Sequence, residues 1–192
     1  MDRWLGNWQG WLQRFDIYRA LATPRLSAVK PRLIVVDWSR LSADLQWHGL
    51  RAGVVVDGRS LTRYEEVHAR KHLGHYPVHR RFVQRLAALL PPEAPTPIVI
   101  TDAGFRGTWF QLLQAQGWHW IGRISREGDK RNREFVTSAT QDGSPAKQLY
   151  GQATAQAQEL GCFESARSNP AGCRLGLIKH TRTGRKHRNA SA

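Results

Sequence analysis

Two strand-length apolar runs, each leading into an aspartate, constrain the fold of this chain more than any other feature. Residues 33–36 lead into Asp37, and residues 97–101 lead into Asp102, which a glycine follows two positions later. Continuous apolar runs of this length are typical of buried strands. An unpaired carboxylate beside a buried strand is energetically costly, so each aspartate is expected to have a compensating partner, of which a metal ion is one kind.

The rest of the first 126 residues predicts further strands and helices around these runs. A hairpin signal, Asp57-Gly58, separates a second strand from a more polar third one, so the first three strands form an antiparallel meander. Helices are predicted where apolar residues recur at helical spacing, and Pro91 and Gly117 end them. The predicted strands are 33–39, 50–56, 60–68, 97–101, 118–125 and 174–179, and the predicted helices are 79–90 and 108–116.

This order of elements predicts an α/β fold with a mixed sheet, because a crossover helix makes the fourth strand parallel to one of the first three. If the strands that carry Asp37 and Asp102 are parallel neighbours, their carboxylates meet. Converging carboxylates repel each other unless cations lie between them, and Mg²⁺ prefers such oxygen ligands. Two-metal phosphoryl transfer uses this geometry. The same pattern also fits aspartates that only cap loops or helices at strand ends.

The charge balance favours a polyanionic partner. The 192 residues contain 29 Lys and Arg against 15 Asp and Glu, which gives a net charge of +14. Residues 165–192 are basic and contain no acid, so they predict a DNA-binding tail, although a solvated tail without a specific partner has the same composition. No apolar run approaches the roughly 20 residues of a membrane-spanning helix, so no membrane partner is expected.

Other side chains are weaker site candidates. Cys162 and Cys173 are too far apart for a zinc finger with His180 and His187, and they suggest no disulfide framework. Histidines recur between residues 68 and 79, but Gly74 and Pro77 interrupt the helix that a metal cluster there requires. We expect those histidines to be solvated or to take part in packing. Three tryptophans, Trp109, Trp118 and Trp120, are expected in the core rather than as base-stacking platforms.

Several motifs together resemble the catalytic core of bacterial insertion-sequence transposases of the DDE type, in the insertion-sequence-four family. They are an Asp-Trp-Ser strand at residues 37–39, a Gly-Arg-Ser turn at 58–60 and an Asp-Ala-Gly-Phe strand end at 102–105. The resemblance is close over residues 33–126 and looser beyond. It implies a ribonuclease-H-like fold, Mg²⁺ or Mn²⁺ as cofactor, and cleavage and joining of DNA. Asp37 and Asp102 take the places of the first two catalytic, metal-binding aspartates.

The third carboxylate of that family is not found in these residues. It belongs to a helical signature in which tyrosine, arginine, glutamate and lysine recur at fixed spacing. Glu159 lies nine residues after Tyr150 instead of seven, without the arginine, and does not fit. We therefore expect a transposase fragment that is truncated at both ends and inactive by itself. Its predicted parts are an N-terminal helical remnant (1–30), a partial catalytic core (31–126), and the start of a β insertion with a basic tail (127–192).

The sequence thus leaves two functional hypotheses. One is a fragment of a DNA transposase, and the other is a non-catalytic DNA-binding or inhibitory fragment that pairs with itself or with full-length transposase. Both predict a bacterial cytoplasmic protein associated with the nucleoid. The expected DNA-binding residues are basic side chains near the second aspartate and in the tail: Arg106, Lys179, Arg182, Arg185, Lys186 and Arg188.

Overall fold

The computed structural model describes residues 13, 15–18, 20, 33–56, 58–91, 94–123, 134–137, 140–145, 149–165 and 171–179. The chain divides into two compact units, Met1–Ser125 and Arg126–Ala192, which are described separately below.

The first unit contains a five-stranded mixed sheet. Its strands are β1 (Leu33–Arg40), β2 (Trp47–Val56), β3 (Arg59–Ala69), β4 (Ile98–Thr101) and β5 (His119–Gly122). Their order across the sheet is β3-β2-β1-β4-β5. The first three strands are antiparallel neighbours, whereas β1, β4 and β5 run parallel. The prediction of a mixed α/β sheet is confirmed.

Two helices connect the strands, α1 (Tyr76–Leu89) and α2 (Gly107–Ala115), and a 3-10 turn, Arg70–His72, precedes α1. The buried residues of α1 include Phe82, Val83, Leu86 and Leu89, which is the predicted apolar face. The predicted start of this helix was three residues too late. Pro77 lies in the first turn of α1 instead of in the preceding loop, because the first turn does not use the N–H that proline lacks.

The two faces of the five-stranded sheet differ in their environment. On the inner face, which packs against the helices, Ile34, Val36 and Leu50 are at most 1% exposed. Residues that alternate with them point to the outer face, and there Asp37 is exposed and Ile121 is 55% exposed. This alternation separates an apolar core from the surface that bears the first aspartate.

The described N-terminal residues are helical and contact the same unit. The rings of Phe15 and Tyr18 lie 6.4 and 5.4 Å from the ring of Tyr64 on β3. Most of the predicted N-terminal helix, including Trp4, Trp8 and Trp11, lies outside the described residues.

The second unit contains a four-stranded antiparallel sheet. Its strands are β6 (Glu134–Thr137), β7 (Thr140–Pro145), β8 (Gln158–Ser165) and β9 (Ala171–Leu177), in the order β7-β6-β8-β9. The predicted strand 174–179 was placed too late, because β9 ends at Leu177 and the Lys179 N–H donates to the Thr154 carbonyl instead of to a strand. In the part of the chain that the structure describes, no helix has the length and apolar character to span a bilayer.

Candidate active site

The two aspartates lie on adjacent segments of the sheet, Asp37 within β1 and Asp102 directly after β4. β1 and β4 are parallel neighbours whose pairing runs from Leu33↔Ile98 to Val36↔Thr101. The next residue on each strand is Asp37 on one side and Asp102 on the other. Since paired strands lie about 4.8 Å apart, this register brings the two backbones together at the carboxylates. Both side chains are exposed, so the expectation that burial forces each aspartate to take a compensating partner is wrong, while the site is open to a large substrate.

Each carboxylate accepts one hydrogen bond within its own segment. Ser39 Oγ donates to Asp37 Oδ2 at 3.2 Å, and the Gly104 N–H donates to Asp102 Oδ1 at 2.8 Å. A Cβ atom at position 104 would lie 3.1 Å from that same oxygen, so glycine lets the turn close tightly on the carboxylate. Among the described residues no further hydrogen bond engages either aspartate, which leaves the other oxygen of each available.

The capping alternative accounts for only part of this arrangement. Asp102 does close the turn that follows β4, through its bond to Gly104. It does not cap α2, because the N-cap residue of that helix is Arg106, which makes no side-chain capping bond. The bond from Ser39 to Asp37 lies within β1 and caps no helix. Strand-end capping therefore explains one oxygen of Asp102 and does not explain Asp37.

A buried histidine connects the segments that follow the two aspartates. His79 of α1 is 4% exposed, and its Nε2 accepts a 3.1 Å hydrogen bond from Trp38 Nε1, next to Asp37. Its ring stacks on Phe105, three residues after Asp102, with centroids 5.5 Å apart. A third contact is with Trp109, at 5.0 Å. The α1 helix thus contacts the residues next to both aspartates from the inner face.

The protonation state of His79 follows from these contacts. The indole N–H of Trp38 can only donate, so Nε2 must carry a lone pair. Burial, with smaller contributions from the charges of His68 and His75, lowers the pKa of His79 from 6.5 to about 4. At neutral pH this residue is therefore an uncharged acceptor.

A second buried polar cluster joins β3 to α1. The Glu66 carboxylate is 5% exposed and accepts bonds from Tyr64 (2.5 Å), Arg85 (2.9 Å) and Arg81 (3.4 Å), and it lies 2.9 Å from His68 Nε2. Burial alone would raise the pKa of Glu66, but the bonds from Tyr64 and Arg85 and the two arginine charges outweigh burial and lower it. The cluster is a fully partnered buried carboxylate, whose effect is to attach α1 to the sheet.

Charged residues also form a row across the outer face. Asp37 is the register partner of Arg51 on β2, and Arg51 is the partner of Glu65 on β3. Direct partners in antiparallel strands point to the same face. Arg51 Nε donates to Glu65 Oε2, and their side chains are 43% and 23% exposed. The row therefore runs from the acid Glu65 through the base Arg51 to Asp37.

The predicted DNA-binding residues are only partly described. Arg106 is exposed at the start of α2, four residues after Asp102, and Lys179 is exposed just after β9. The four other basic residues predicted for DNA binding lie outside the described residues: Arg182, Arg185, Lys186 and Arg188.

The other metal candidates are not supported. Within the described ranges no cluster of three or more His, Cys, Asp or Glu side chains has a metal-binding arrangement, and this applies to the histidines of residues 68–79. Cys162 and Cys173 face opposite sides of their sheet, since Cys162 pairs with Arg174 and Phe163 with Cys173. Glu159 lies 3.3 Å from Arg174 in an exposed ion pair.

Sequence reasoning missed several residues around the site. Arg51, Glu65 and Glu66 carried no recognised motif, because their importance comes from strand register and helix packing, whereas the expected packing role of the histidines is confirmed for His79. One signal was present: polar Tyr64, Glu66 and His68 alternate along a strand, which marks one polar face. The core prediction for the tryptophans is confirmed for Trp109 and Trp118, which are buried, and the half-buried Trp120 stacks on Phe110 at 4.1 Å.

Comparison with known proteins gives a match to a family model. A family model described as "Transposase DDE domain" matches residues 29–169. No curated protein gives a significant match. A solved structure, titled "Structural characterization of the Ppx/GppA protein family: crystal structure of the Aquifex aeolicus family member", aligns at 9% identity and a TM-score of 0.27. The alignment spans 77% of this chain and about half, 51%, of that one, and so low a TM-score is uninformative about fold or function.

Proposed function

Because this chain belongs to the transposase DDE domain family, we propose that it is part of an insertion-sequence-four transposase with a ribonuclease-H-like core. The family match covers both aspartates and most of the chain. The family implies transposition, DNA binding and a divalent metal cofactor. The observation that carries the finer proposal is the β1–β4 register, which ends at Val36↔Thr101, one residue before each aspartate.

We propose Asp37 and Asp102 as ligands of Mg²⁺ or Mn²⁺. The residues fit such ions, because hard divalent cations prefer carboxylate oxygens and each aspartate keeps one oxygen without a bond among the described residues. Ser39 and Gly104 would hold the carboxylates in place through the other oxygens. When bound, the ions supply activation of the attacking water or 3′-hydroxyl and stabilisation of the leaving oxygen.

The complete reaction needs a third carboxylate, and the 192 residues contain no match to its signature. Two aspartates can bind one such ion with water completing its shell, but they leave a two-metal site short of a protein ligand. We therefore propose that this chain, by itself, does not cleave or join DNA. Reading the DNA beyond codon 192 in all three frames for the signature of tyrosine, arginine, glutamate and lysine tests where the missing ligand is encoded.

Metal binding is the direct test of the aspartate pair. Titration of the full chain with Mn²⁺, followed by electron paramagnetic resonance, should show a site that Asp37→Asn and Asp102→Asn each weaken by more than about tenfold. Asp44→Asn is the matched control, because Asp44 is another exposed aspartate that accepts a backbone N–H bond, from Gln46 at 3.1 Å. Equal Mn²⁺ affinity in all three variants and the wild type would refute the site.

Inactivity is tested separately on supercoiled plasmid DNA with Mn²⁺. We expect no nicking above the level of Asp102→Asn. Nicking by the wild-type chain that disappears in Asp102→Asn would show that two aspartates suffice, and would overturn the proposed need for a third carboxylate.

The net charge of +14 supports a second candidate, a non-catalytic DNA-binding or inhibitory fragment that acts in the bacterial cytoplasm at the nucleoid. Arg106, Lys179 and the basic residues 182–188 would contact phosphates, and the chain would pair with itself or with full-length transposase. DNA binding that weakens with salt and is unchanged in Asp37→Asn and Asp102→Asn would favour this role. No binding at low salt would exclude it.

A further inference from the structure

The charged row on the outer face places an arginine beside the first aspartate. Arg51 and Asp37 are direct register partners on antiparallel strands, so their Cα atoms lie roughly 4.5–5.5 Å apart and their side chains share a face. Direct opposition of an arginine and an aspartate normally favours an ion pair. Here Arg51 instead bonds through Nε to Glu65, on the strand beyond.

This ion pair leaves the outer part of the guanidinium open. Only Nε is engaged, so among the described residues nothing bonds to Nη1 or Nη2 of Arg51. The side chain is 43% exposed, whereas Glu65 is 23% exposed and anchors it. An arginine held by one nitrogen keeps its remaining N–H groups in a fixed planar fork, which matches the oxygens of a phosphate.

Glu65 also keeps Asp37 free for another ligand. The bond to Glu65 partly offsets the charge of Arg51 and directs its Nε away from Asp37. Asp37 accepts only the Ser39 hydroxyl among the described residues. The charged row thus keeps the Arg51 guanidinium, which can bind an anion, apart from the Asp37 carboxylate on the neighbouring strand, which can bind a cation.

We propose that Arg51, held by Glu65, binds a backbone phosphate of the DNA strand that lies against Asp37 and Asp102. The inference rests on the proposed function, since it assumes that the aspartate pair is the DNA-processing site. Arg51 is then a substrate-binding residue, and Glu65 is a positioning residue that acts through it.

The proposal predicts effects of opposite sign on the two ligands. Without the guanidinium, Arg51→Ala should bind a short DNA duplex about tenfold more weakly, and the slope of log K against log salt should fall by about 0.9. Because a positive charge on the neighbouring strand has been removed, the affinity of the aspartate site for Mn²⁺ should instead rise about three- to fivefold. A purely structural arginine would not raise metal affinity while weakening DNA binding.

Matched variants separate charge from geometry. Arg51→Lys keeps the charge without the planar fork, so it should retain the Mn²⁺ affinity of the wild type and recover only part of the duplex affinity. Arg80→Ala removes an exposed arginine of α1 and should leave Mn²⁺ affinity unchanged. Glu65→Gln releases Arg51 toward Asp37, so it should lower Mn²⁺ affinity about threefold, and by less when Arg51 is already alanine.

Mn²⁺ titration and duplex binding at several salt concentrations, on the full chain with circular dichroism as a check of folding, decide the outcome. Arg51→Ala that matches Arg80→Ala in both duplex affinity and Mn²⁺ affinity overturns the role of Arg51 while leaving the metal site intact. Weaker binding of both DNA and Mn²⁺ by Arg51→Ala also overturns the role of Arg51, because a loss of both affinities indicates distortion of the strands. A wild-type chain that binds no Mn²⁺ refutes the proposed metal site instead.

Discussion

Acidification should destabilise the first unit through His79. The pKa of His79 falls from 6.5 to about 4 because the folded state buries the ring and uses Nε2 to accept the Trp38 N–H. Above pH 6.5 the ring is neutral in both folded and unfolded chains, so its full contribution to stability is present. As pH falls from 6.5 towards 4, the unfolded chain takes up a proton that the folded chain excludes, and stability is lost.

The magnitude follows from the size of the shift. Each pH unit within this window costs about 1.4 kcal/mol for one proton, so lowering the pH from 6.5 to 5 removes about 2 kcal/mol. The full interval down to about pH 4 corresponds to about 3 kcal/mol. For a domain whose total stability is roughly 5–15 kcal/mol, this is a large fraction.

Urea denaturation followed by tryptophan fluorescence measures this effect in the first unit, because all eight tryptophans precede residue 121. His79→Gln is the matched control: its amide oxygen can accept the Trp38 N–H, but it does not titrate. Its loss of ring stacking lowers stability equally at every pH. All other side chains are the same in the two proteins, so the difference between the two curves isolates His79.

Between pH 6.5 and 5, the free energy of unfolding of the wild type should fall by about 2 kcal/mol more than that of His79→Gln. Identical pH dependence in the two proteins would refute the reasoning, because it would mean that His79 is protonated equally in the folded and unfolded states. Such a result would also remove the hydrogen bond from Trp38 as a feature of the folded protein.

Other substitutions test packing and partnership. Glu66→Gln removes the buried charge that Arg81, Arg85 and Tyr64 contact, so it should lower the free energy of unfolding of the first unit by about 2–4 kcal/mol in urea denaturation. Glu65→Gln affects an ion pair on the outer face and should lower it by less than about 1 kcal/mol. Equal losses of stability in the two variants would contradict the burial assigned to Glu66. Gly122→Ala places a Cβ 2.4 Å from Phe110 Cζ, so overpacking should lower stability by about 1–3 kcal/mol. An unchanged denaturation midpoint would show that the Phe110 ring moves aside freely.

The sequence determined the elements whose signals are local. Apolar runs predicted β1 and β4, and the helical spacing of Phe82, Val83 and Leu86 predicted the buried face of α1. The positions of Asp37 and Asp102 at the ends of such runs were also visible, because burial of a strand and the exposure of its end both depend on a few neighbouring residues. The boundaries of helices and strands were predicted less accurately, as Pro77 in α1 and the early end of β9 show.

Which residues meet depends on the tertiary structure. The aspartates come directly after Val36 and Thr101, which are register partners about 65 residues apart in the chain. Strand register depends on the packing of the whole sheet. Long-range packing also brings His79 into contact with Trp38 and Phe105, next to the two aspartates. It likewise places Arg51, held by Glu65, beside Asp37. Local patterns specify which face a side chain occupies, whereas long-range strand pairing specifies its neighbours. A site that uses carboxylates from two segments of the sheet therefore depends on the long-range pairing.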